Sequence, residues 1–104
     1  MVTMKVIWTE LARSQLREAC QYHKEVASAK VAASIRAKAY EKTRKLSRFP
    51  EMGQKENNPL VSAIGYRYLV SGNYKIVYRV VPEGKTVLIM AVFDTRQDPD
   101  DLKV

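Results

Sequence analysis

The chain is poor in the residues that build metal and redox chemistry. It has one cysteine, Cys20, and one histidine, His23, in 104 residues. A single cysteine excludes an intramolecular disulfide and gives no reason to expect an oxidising compartment. Cys20 and His23 would need two further ligands at suitable spacing to hold a zinc ion, and the sequence offers none. The expectation is therefore no metal and no cofactor, with Cys20 buried and His23 on a helix surface. No apolar run approaches the roughly 18 residues of a membrane-spanning helix, and the N-terminal Met1-Val2-Thr3-Met4-Lys5 shows no leader-like apolar segment. A cytoplasmic protein with no membrane partner is expected. Acids are scarce too: 11 Asp and Glu stand against 18 Lys and Arg, for a net charge of +7. Charge of that sign favours polyanions or acidic proteins as partners.

What is present suits one folded domain over residues 1–104. A hydrophobic content of 46% against 28% charged residues places the chain with globular rather than disordered proteins. The charge is unevenly placed. Between Ser28 and Arg48 lie seven bases (Lys30, Arg36, Lys38, Lys42, Arg44, Lys45, Arg48) and one acid, Glu41.

Met4 to Trp8 is short and rich in β-prone residues, which reads as a strand. Thr9 is placed to cap a helix, with Glu10 in the first turn where the helix dipole favours an anion. Ala12, Leu16, Ala19, Cys20 and His23 form its apolar stripe, and the helix is expected to end between Lys24 and Ala27. Ser28 can cap a second helix with the stripe Ala32, Ile35, Ala39, Thr43 and Leu46. Phe49-Pro50-Glu51-Met52-Gly53 ends it. Gln54 to Gly65, with Asn57-Asn58-Pro59 inside it, reads as a long mobile loop. Three β-rich runs follow, Tyr66–Val70, Tyr74–Val81 and Thr86–Phe93, separated by glycine-bearing turns. The order β-α-α-β-β-β implies an α+β fold, with a helical hairpin on one face of a largely antiparallel four-stranded sheet.

Alternation places Tyr74, Ile76, Tyr78 and Val80 under the helices and Lys75, Val77, Arg79 and Val81 on the other face. The register of the first hairpin decides where Arg67 goes. A three-residue loop, Ser71-Gly72-Asn73, pairs Arg67 with Val77 and sets Tyr66 against Tyr78 and Tyr68 against Ile76. A two-residue Gly72-Asn73 turn moves Arg67 to the opposite face. The three-residue loop keeps both aromatic pairs in the core and is the expected one. Arg67, Lys75 and Arg79 then share an exposed face, with Arg96 at its rim. Such a cluster suits a phosphate or carboxylate, or else is an ordinary charged face paired with acids such as Asp94 or Glu83.

Several motifs taken together resemble the RelE/ParE superfamily of type II toxin–antitoxin toxins, often labelled plasmid stabilisation proteins. They are Phe49-Pro50-Glu51-Met52-Gly53, Tyr66-Arg67-Tyr68-Leu69-Val70, Gly72 to Val80, and Val92-Phe93-Asp94-Thr95-Arg96-Gln97-Asp98-Pro99. The resemblance implies a growth-inhibiting toxin held inactive by a cognate acidic antitoxin. RelE-like members are ribosome-dependent messenger RNA endoribonucleases (mRNA interferases), and ParE-like members inhibit DNA gyrase. On the nuclease reading, Arg67 and Lys75 match basic positions of the family, Arg96 lies near a further arginine, and Arg79 joins them in holding phosphate. A family lysine position falls on Leu69. The tyrosine or histidine that nucleases place after that arginine has no counterpart, because no aromatic residue or histidine follows Phe93. A missing general acid costs about two to four orders of magnitude in rate. Glu51 or Glu56 as base, and Tyr66 or Tyr68 if turned outward, are the available substitutes. The balance favours gyrase binding without catalysis, with the endoribonuclease as alternative. A third reading is a degenerate member that retains only antitoxin binding.

Overall fold

The computed structural model describes residues 3–56 and 65–96. Strand β1 (Lys5–Trp8) leads into helices α1 (Glu10–Val26) and α2 (Ala29–Arg44), and a 3-10 turn follows at Lys45–Ser47. The remaining strands are β2 (Gln54–Lys55), β3 (Arg67–Ser71), β4 (Tyr74–Val81) and β5 (Thr86–Asp94). The sheet has five strands rather than the four expected, in the order β1-β5-β4-β3-β2. Its β1–β5 pair is parallel and the others are antiparallel. The added strand, β2, takes the first two residues of the segment read as a loop. Residues 57–64, where most of that loop falls, lie outside the described residues.

Both helix starts follow their local chemistry. The Thr9 hydroxyl accepts from Ala12 N at 3.2 Å and donates to the Ile89 carbonyl at 2.8 Å, fixing the mouth of α1 to β5. Ser28 Oγ accepts from Val31 N at 3.1 Å and caps α2. Further along α1, Gln15 Oε1 accepts from Val92 N at 2.7 Å, beyond the end of β1, where that amide has no strand neighbour on this side. Ala12, Leu16, Ala32, Ala39 and Thr43 of the stripes are buried, and Ala19 and Ile35 are half-buried. Cys20 and His23 are both half-buried, so neither is fully in the core nor fully on the surface.

The helices bury Ile76 and Tyr78 of β4 together with Val87, Ile89 and Val92 of β5. The opposite face carries a second apolar cluster of Tyr66, Val77, Ala91 and Phe93, flanked by Tyr68 and Met90. Val77, expected to meet solvent or ligand, is thus fully buried. A bulge makes this cluster possible. Val77 pairs with Ala91 and Tyr78 with Ile89, leaving Met90 as the extra residue. Without that residue, 87, 89, 91 and 93 would all share one face; with it, Ala91 and Phe93 turn to the far side.

Candidate functional site

The β3–β4 hairpin has the two-residue turn. Ser71 pairs with Tyr74, Leu69 with Ile76, Tyr68 with Val77 and Arg67 with Tyr78. Gly72 at φ +60° supplies the positive φ that a tight turn of the primed type needs at its first central residue. The Asn73 carbonyl is held by both the amide and the hydroxyl of Thr95, each at 2.8 Å. The expected three-residue loop is therefore corrected, and with it the pairs Tyr66–Tyr78 and Tyr68–Ile76. Tyr66 and Tyr68 belong to the far-face cluster, and Arg67 shares the helix face with Tyr78.

Arg67 is engaged there by backbone. Its Nη1 donates to the Gly53 carbonyl at 2.9 Å and to the Glu51 carbonyl at 3.4 Å. Tyr78 reaches the same segment, its hydroxyl accepting from Gly53 N at 2.9 Å and donating to Pro50 O at 2.8 Å. Burial pushes the Tyr78 phenol above its ordinary range. The Phe49–Gly53 motif is thus moored to β3 and β4 by one phenol and one guanidinium.

Lys75 and Arg79 do share the far face. The Lys75 ammonium lies 3.0 Å from Glu56 Oε2 and 4.3 Å from the centre of the Tyr68 ring. The Glu56 side chain is 3% exposed and that of Lys75 25%. Arg79 is exposed. Four residues along a strand separate the two Cα atoms by about 13 Å, and the Lys75 ammonium is turned to Glu56. Arg96, just past β5, grips Asp94 through Nε at 3.0 Å and Nη2 at 2.8 Å. That fork holds the Asp94 carboxyl below its usual range and raises the guanidinium in turn. The structure thus brings Lys75 and Arg79 to one face, places Arg67 on the other, and pairs Arg96 with an acid at the rim.

Two features have no signal in local sequence. Glu56 closes on Lys75 from a segment that composition marks only as polar. His23 Nε2 lies 3.0 Å from the Tyr74 hydroxyl, joining the last turn of α1 to the start of β4. Among the described residues, no group of three His, Cys, Asp or Glu is placed to hold a metal, and no helix is long and apolar enough to cross a membrane.

A groove of about 560 Å³ runs between α1 and α2. Trp8, Leu16, Cys20 and Ala32 give it an apolar floor, and Arg13, Arg17, Lys24 and Arg36 a basic rim. Tyr40 packs on Trp8 at one end, ring centres 4.8 Å apart, with Arg36 5.7 Å over its ring. Ala32, a member of the α2 stripe, is the small residue that lines the groove from α2.

The family model described as ParE toxin of type II toxin-antitoxin system, parDE, matches residues 6–99 of this chain. Among solved structures, the chromosomal ParDE toxin–antitoxin system from P. aeruginosa superposes with a TM-score of 0.73 at 18% identity, covering 90% of this chain and 98% of that one. The toxin–antitoxin complex RelBE2 from Mycobacterium tuberculosis gives a TM-score of 0.59 at 25% identity, covering 90% and 93%. No curated protein sequence matches.

Proposed function

The chain belongs to the ParE toxin family of type II toxin–antitoxin systems, and from that premise we propose that it arrests growth by binding DNA gyrase, with no catalytic chemistry of its own. The observation that carries this reading is the dispersal of the cations a nuclease would have to gather. Arg67 spends its guanidinium on the Gly53 carbonyl, Lys75 is paired with the buried Glu56, and Arg96 is clamped to Asp94. Stabilising a crowded phosphate needs charges that converge on it before the reaction, and these point apart.

The partner that silences the toxin is an acidic antitoxin. The groove between α1 and α2 suits an amphipathic segment from it: apolar side chains seat on Trp8 and Leu16, and acids meet Arg13, Arg17, Lys24 and Arg36. Charge complementarity of this kind speeds association and makes it salt-sensitive.

The test is a supercoiling assay with purified gyrase and relaxed plasmid. Loss of supercoiled product as the toxin approaches the gyrase concentration is expected, reversed by antitoxin. Full supercoiling at large molar excess would sink the reading. Codon-linked cuts in a translation mix, mapped by primer extension, would install the ribonuclease in its place.

A further inference from the structure

The basic run between Ser28 and Arg48 is used by neither the groove nor the sheet face, except at Arg36 and Lys42. On α2, at about 100° per residue, Ala32, Ala39 and Thr43 point to the core. Lys30, Lys38 and Arg44, and Lys45 at the start of the 3-10 turn, point away from it, and all are exposed. Arg48, exposed just past the 3-10 turn, extends the row. From Lys30 to Lys45 the row is about 22 Å long. Its one acid is Glu41, and none of the five cations enters an ion pair among the described residues.

The residues between the charges say what kind of partner fits. Apart from Glu41 they are Ser34 and Ala37, both small and exposed. Between the charges of α2 the face therefore presents no large side chain of the kind that anchors stable protein interfaces; the exposed Val31, Tyr40 and Phe49 lie at its margins. No aromatic ring stands among the α2 charges, where single-strand binders place the rings that stack on unpaired bases; Phe49 is exposed just past Arg48, at the end of the row. The Tyr40 ring lies to one side, packed on Trp8. A convex band of cations with no anchor among them suits a regular array of phosphates, and duplex DNA offers about one negative charge per 1.7 Å of axis. Bound phosphates would also relieve the mutual repulsion of these cations, which Glu41 alone offsets on this face.

We infer that the outer face of α2 and the turn after it is a sequence-independent surface for duplex DNA, carried by Lys30, Lys38, Arg44, Lys45 and Arg48. It needs only the chain and a duplex. A second consequence rests on the gyrase reading: the toxin touches the DNA that the enzyme holds as well as the enzyme.

The experiment is fluorescence anisotropy of a labelled random-sequence duplex titrated with the full chain, without gyrase, over a range of salt. Four or so phosphate contacts give a slope of log affinity against log salt of about −3 to −4. In the double variant Lys38→Glu/Lys45→Glu the slope shrinks by about 2, and affinity at low salt falls about tenfold or more. A quadruple variant adds Glu18→Lys and Glu83→Lys, both exposed and off this face, and restores the net charge of +7. Its binding stays weak, with an unchanged melting temperature as the check on folding. Recovery of affinity in the quadruple variant overturns the inference, because net charge alone would then explain binding. So does absence of duplex binding at low salt, or a preference for single-stranded RNA. Loss of antitoxin capture in the double variant, with no duplex binding by the parent, assigns the face to an acidic protein instead. Supercoiling is read separately: duplex binding with gyrase unaffected keeps this inference and sinks the gyrase reading.

Discussion

Gly53 and Tyr78 are in contact so close that a Cβ at position 53 would lie 2.7 Å from both the hydroxyl and a ring carbon of Tyr78. The Tyr68 carbonyl closes the other side at 2.7 Å. This glycine is required for space, not for a special φ. It lets the segment after Pro50 lie flat on the sheet so that one phenol bonds it twice.

Gly53→Ala is therefore expected to destabilise by about 3 kcal/mol, since buried ring and backbone must both give way. Tyr78→Phe keeps the packing but strands the Gly53 amide and the Pro50 carbonyl. About 2 kcal/mol is lost, a fall in melting temperature of about 10 °C. The two variants also separate at high pH. Burial raises the Tyr78 phenol above its ordinary 10.0, so its contribution is complete below that pH and disappears as pH rises through the higher folded value. Thermal melts between neutral and strongly alkaline pH should show wild type losing its advantage over Tyr78→Phe there.

The Lys75–Glu56 pair gives a second measurement. Glu56 is buried, so removing the ammonium takes a counter-charge away from a carboxylate in a poorly solvated place. Lys75→Met keeps the stem over Tyr68 and is expected to cost about 2 kcal/mol, less than a fully buried pair because Lys75 keeps some solvent. Urea unfolding of Lys75→Met, Glu56→Gln and the double variant should give a coupling energy of about 1 kcal/mol or more. Additive losses would mean the two side chains act separately.

These contacts mark where sequence stops being legible. The caps at Thr9 and Ser28 and the helical stripes depend on neighbours three or four residues away, and both are readable. So is the helix face of β4, where Tyr74, Ile76, Tyr78 and Val80 alternate without interruption. The hairpin register is not, because Ser71-Gly72-Asn73 accommodates either loop and the choice is held by Thr95, more than twenty residues on. The extra residue at Met90 is equally silent: Val87 to Phe93 is one continuous apolar run, in which nothing marks a change of face until β4 fixes the pairing. The candidate cations can each be named, but their convergence hangs on that one register. A one-residue slip moves Arg67 across the sheet.

Asp94 and Arg96 predict an acid dependence. The Arg96 fork lowers the Asp94 carboxyl from its ordinary 3.8, outweighing the opposite effect of burial. Its contribution is in place above that pH and is lost as pH falls through the lowered folded value. Arg96→Gln should thus melt below wild type near neutrality, and the two curves should converge in strong acid. A constant gap between them down to the lowest pH would show that Arg96 stabilises by some route other than this carboxylate.

Cys20 offers a footprint of the antitoxin. It is the only cysteine in the chain, and it lines the groove floor beside Leu16. Burial pushes its thiol above the ordinary 9.0, with Arg36 partly offsetting the effect. Because the thiolate is the nucleophile, free toxin should react slowly with iodoacetamide near neutrality and faster as pH rises past that value. An antitoxin segment seated in the groove covers the sulfur, so alkylation of the complex should slow well beyond the free chain, as intact mass measurement would record. Arg13→Glu with Arg17→Glu reverses two of the four charges of the basic rim without touching Lys24 or Arg36. It should weaken the complex mainly through a slower association rate and a shallower salt dependence, and return Cys20 to its free reactivity at the same protein concentrations. Equal alkylation of free and antitoxin-bound toxin would place the antitoxin elsewhere on the chain.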